Sequence, residues 1–204
     1  MKSNLVAIYS AIDIVSAGLL STIKSNISNA YKGYFEEKFN RIMEELVKND
    51  ISENEILKFI NNLNQYDKDI LFAIINKNLQ SDNKIKSFLL SKILFYKFTN
   101  TNLDYFHANI LTNLDLFVVE DFENFKIIYN FYEINNIGSQ PFAIKVLVDN
   151  FSGESYNVTI VKMKSIGLLL NTEYAQEWSE SGYLYLGKGD GFENLGKYIN
   201  EYYN

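Results

Sequence analysis

Residues 29–49 read NAYKGYFEEKFNRIMEELVKN, and within them Tyr31, Tyr34, Phe35, Phe39, Ile42, Met43, Leu46 and Val47 recur at steps of three and four. Glu36, Glu37, Lys38, Arg41, Glu44 and Glu45 fill the positions between. At 3.6 residues per turn this spacing gathers the apolar side chains on one stripe and the charges on the rest of the surface. Such a helix needs other helices to cover its stripe, and that requirement sets the fold class as mainly α.

The reading extends in both directions. Downstream, Ser52 and Glu55 stand three apart ahead of Ile56, Phe59, Ile60 and Leu63. This is the capping-box pattern, in which each side chain satisfies a backbone amide of the first turn. Asp67–Leu79 carries Ile70, Leu71, Ile74 and Ile75, and Asp82–Phe98 carries Ile85, Phe88, Leu89, Ile93 and Leu94. The polar breaks at Gln80–Asp82 and Thr99–Asn102 are short, as expected between packed helices. Upstream, Leu5–Leu20 is LVAIYSAIDIVSAGLL, with one charge, Asp13. A membrane-spanning helix wants about 20 apolar residues, and Ser10, Asp13 and Ser16 interrupt the run, so a helix buried in the protein is the leading reading. An interfacial, membrane-active helix ranks below it and a targeting segment last. Residues 1–102 are therefore expected to form an N-terminal helical bundle.

Residues 103–204 make up the second part, and their texture changes after Asn135. Leu103–Leu114 and Glu120–Ile134 read as helices, the second with acids in its first turn, where the positive helix end favours them. Phe142–Val148 is a short strand or a helical turn, which periodicity does not separate over so short a run. Ser155–Leu170 reads as a helix ending at Gly167, with a strand option at Leu168–Leu170. The run from Gly182 to Gly187, GYLYLG, is the most strand-like in the chain, and Gly-Lys-Gly-Asp-Gly at 187–191 follows it as a turn. Glu193–Tyr203 closes as a helix. Helix, small hairpin, helix is the order of a winged-helix-like α+β module.

Composition narrows the function classes. The chain has 204 residues, of which 47% are hydrophobic, and 15 Tyr with 15 Phe make an aromatic core the expectation. With no cysteine there is no disulfide, thiol nucleophile or thiolate metal site, which fits a reducing, cytoplasmic setting. The net charge is −6, so the long-range field repels phosphate backbones and argues against a nucleic-acid partner. Residues 104–135 hold six acids against Lys126, and residues 171–204 hold six against two lysines.

No motif carries catalysis. The GKGDG cluster lacks the four-residue spacer and the Ser or Thr of a phosphate loop, so a tight hairpin turn requiring positive φ is the better reading. His107 is the only histidine. It has no G-x-S-x-G serine and no ligand pair at helical spacing, which points to a structural or solvent-exposed role. The carboxylate pairs Asp67/Asp69, Glu36/Glu37 and Asp121/Glu123 lack calcium-loop spacing and read as solvated surface or helix caps. No enzyme activity, cofactor or metal site is expected.

Two surfaces remain. In a winged helix, Ser155–Leu170 would take the recognition position, with Lys162 and Lys164 on it and Lys188 at the wing tip. Three lysines are few for a duplex reader, and this half of the chain is acidic. The tyrosines of the last helix, Tyr198, Tyr202 and Tyr203, would be interface anchors if exposed.

The segments AIDIVSAGLLSTI, YFEEKFNRIMEEL and KIKSFLLSKIL, with an end running VKMKSIGLLL to GFENLGKYINEYY, resemble uncharacterised bacterial helical proteins often linked to phage defence and abortive infection. The resemblance implies a winged-helix-like end with Leu195-Gly196-Lys197-Tyr198 on its last helix, and it carries over no catalytic residue. The function expected is a non-enzymatic protein of a bacterium or phage, acting in host–phage conflict by binding a protein partner or by assembling with itself. A nucleic-acid-binding regulator using Lys162, Lys164 and Lys188 is the alternative, followed by a membrane-perturbing effector acting through Leu5–Leu20.

Overall fold

A computed structural model describes residues 37–43, 46, 48–49, 51–81, 83–134, 142–143, 154–171 and 185–204. It is mainly helical. The chain divides into two compact units, Met1–His107 and Ala108–Asn204. Leu5–Leu20 lies outside the described residues; among those described, no helix is long and apolar enough to cross a membrane.

In the first unit, α1 is helical over 37–43, and its stripe residues Phe39, Ile42, Met43 and Leu46 are all buried. α2 is Glu53–Asn61, α3 Gln65–Gln80 and α4 Lys84–Thr99. The capping box forms as its spacing predicts: the Glu55 amide donates to Ser52 Oγ at 3.3 Å and the Ser52 amide to Glu55 Oε2 at 2.9 Å. α3 starts ahead of Asp67 because Asn64 caps it, its Oδ1 accepting from the Asp67 amide at 2.9 Å. Asn83 does the same for α4 through the Ile85 amide. Ile56, Ile60, Ile70, Ile74, Leu89 and Ile93 are buried as well, each burial contributing about 1.5–3 kcal/mol.

In the second unit, the end of α5 (Tyr105–Asn113) leads through a 3-10 turn, Leu114–Leu116, into α6 (Val119–Ile134). β1 (Phe142–Ala143), α7 (Glu154–Ser165), β2 (Leu169–Asn171), β3 (Tyr185–Lys188) and α8 (Phe192–Tyr203) follow. The three strands form one antiparallel sheet in the order β1-β3-β2, with Phe142 opposite Leu186 and Leu169 opposite Lys188. The expected small hairpin therefore has a third strand, supplied by the segment whose state periodicity left open.

The glycine cluster departs from its expected place. β2 and β3 are joined through 172–184, whereas GKGDG leads from β3 into α8 and is no hairpin tip. Its chemistry is still that of a turn: Gly191 sits at φ +82° as the cap of α8. Gly189 donates its amide to the Leu168 carbonyl at 3.0 Å, and a Cβ on it would lie 1.8 Å from the Gly167 carbonyl oxygen. Only glycine permits that approach of two backbones.

The core of this unit is aromatic. Phe125 and Phe192 meet edge to face at 5.1 Å, and Tyr129 lies 5.7 Å from Phe192. Gly196 on α8 makes room for the Tyr129 ring, which would be 2.1 Å from an added Cβ.

Candidate functional site

The surface that stands out in the second unit is the outer side of α7. Thr159, Ile160 and Met163 are buried on one side of this helix. Val158 and Val161, on the other side, are 51% and 64% exposed. Leu170, in β2, is also exposed. Two valines at an i, i+3 spacing that keep half or more of their surface in solvent are candidates for contact with something else.

What holds α7 in place is a buried polar cluster on its inner edge. Asp121, 2% exposed, accepts from Thr159 Oγ1 at 2.8 Å and from Lys162 Nζ at 2.5 Å. It also accepts from the Val118 amide at 2.8 Å, which is half of a capping box at the start of α6. Asn124 Nδ2 donates to Thr159 Oγ1 at 3.0 Å. A buried carboxylate is tolerated because each of these donors replaces water. Of the two roles expected for Asp121, solvated surface or helix cap, the structure shows the cap and buries the carboxylate. Helix pattern alone gives no sign of a partner 41 residues away.

The six candidate residues from the sequence do not converge. Lys162 turns to Asp121, with its side chain 25% exposed. Lys164 is half-buried and, two positions on, falls on the opposite flank of the helix. Lys188 is at the end of β3 beside the start of α8 and not at a wing tip; it pairs with Glu193 at 2.5 Å and lies 5.5 Å over the Phe192 ring. Tyr198, Tyr202 and Tyr203 are half-buried, where interface anchors were expected to be exposed. Tyr202 and Tyr203 meet edge to face at 5.0 Å, and Lys126 of α6 lies 4.5 Å over the Tyr203 ring. Burial, then Glu123 and Tyr202, push the Tyr203 hydroxyl above its usual range.

His107 is structural. It is 2% exposed, stacks on Tyr96 at 3.8 Å and meets Asp104 Oδ1 through Nδ1 at 2.7 Å. Burial depresses its pKa and outweighs the upward pull of Asp104. Among the described residues, no group of three His, Asp or Glu side chains could hold a metal ion.

The first unit has an open cleft of about 470 Å³ lined by Phe59, Asn62, Asp67, Lys97, Phe98 and Thr101, among others. Its charged floor is a buried ion pair, Lys97 Nζ to Asp67 Oδ1 at 2.6 Å, and Lys97 also donates to the Thr101 carbonyl. Asp67 is accordingly committed to Lys97 and is not the solvated carboxylate its position on α3 suggests. Lys97 is thus satisfied from both sides, and Glu55 and Lys58 also line the cleft.

Comparison of the chain with protein-family models, with curated proteins and with solved structures finds no match.

Proposed function

We propose that the chain is a non-enzymatic interaction protein, acting through the outer face of α7 on a protein partner or on a second copy of itself. The observation that carries this reading is the pair of outward valines, Val158 and Val161, at 51% and 64% exposure on α7. The order helix, strand, helix, strand, strand, helix with the sheet arranged β1-β3-β2 supports a winged-helix-like module in which α7 takes the recognition position. A duplex-reading winged helix puts arginines and lysines on that face; here Val158 and Val161 are exposed on it and Lys162 is paired with Asp121. On the resemblance noted above, the setting we propose is the cytoplasm of a bacterium, in conflict between host and phage.

The test is affinity capture with the tagged full-length chain from nuclease-treated native lysate, run beside Val161→Glu. A stoichiometric protein that the wild type retains and the variant loses is the expected result. Recovery of the same proteins by both forms overturns the reading. The regulator alternative, favoured only by the sheet order, requires DNA binding that falls steeply with salt; no binding at low salt removes it.

A further inference from the structure

We draw no further inference here: the strongest candidate, the open cleft lined by the ends of α2 and α4, sets Glu55 and Asp67 against Lys58 and Lys97 along its lining, and nothing in the structure shows what ligand fills it.

Discussion

The two units place charge inside themselves in opposite ways. The first buries cations at helix C-termini. Lys38, 4% exposed, donates to the Leu79 carbonyl at 3.0 Å and to the Ser81 carbonyl, at the end of α3. Lys97 does the same just past α4, at the Thr101 carbonyl, with Asp67 on its other side. The second unit buries an anion at a helix N-terminus, Asp121 in the first turn of α6. Each sign goes where the helix leaves backbone groups of the opposite partial charge unmatched. The difference is in escape routes: the Lys97 side chain is 4% exposed, whereas Lys162 is 25% exposed and can reach water if its carboxylate is lost.

That contrast is open to test. Asp67→Ala leaves the Lys97 ammonium, 4% exposed, without its carboxylate and should cost about 3–5 kcal/mol, measured by urea unfolding; a loss below about 1 kcal/mol would show that the Thr101 carbonyl suffices. Asp121→Ala should cost less, about 2–3 kcal/mol, because Lys162 can rehydrate and only Thr159 and the Val118 amide lose a partner. If the order is reversed, escape to solvent is not what separates the two pairs. Gly196→Ala sharpens the comparison from the apolar side: the added methyl displaces the Tyr129 ring and should cost about 1–3 kcal/mol. A melting temperature unchanged in that variant would mean the ring yields freely.

The smallest effect is in pH. His107 has its pKa lowered in the folded chain by burial, so the unfolded chain takes up the proton first. The stability it contributes is complete above about pH 6.5 and is lost as pH falls toward the folded value. Asp104 acts in the same sense further down: burial would raise it, but the His107 amide and ring hold it below its usual value. Melting temperature should fall from pH 7.5 to 5, and His107→Gln should flatten that part of the curve while leaving the more acidic limb. An unaltered profile in the variant would rule out His107 as its source.

Helix propensity and periodicity are local, and what they imply holds at particular residues. Phe39, Ile42, Met43 and Leu46 are buried together, as their spacing requires. Ser52 and Glu55 form the capping box. Helix starts were missed by two residues where Asn64 or Asn83 caps, since an asparagine cap lacks the glutamate partner that advertises a capping box. The candidate site was less legible. Its lysines were visible as residues, but Asp121 is 41 residues from Lys162 in the chain, and no spacing rule joins them.

By itself the sequence determined the helical class, the change of texture after residue 135, the turn chemistry of 187–191 and an interior without disulfides, because these follow from interactions within a few residues or from composition. Only the tertiary structure decided which charges are buried, that GKGDG connects a strand to a helix, that the C-terminal tyrosines are half-buried, and that Val158 and Val161 stay outside. Burial depends on which faces meet across long stretches of chain, and a helical pattern records which side is apolar without recording what covers it.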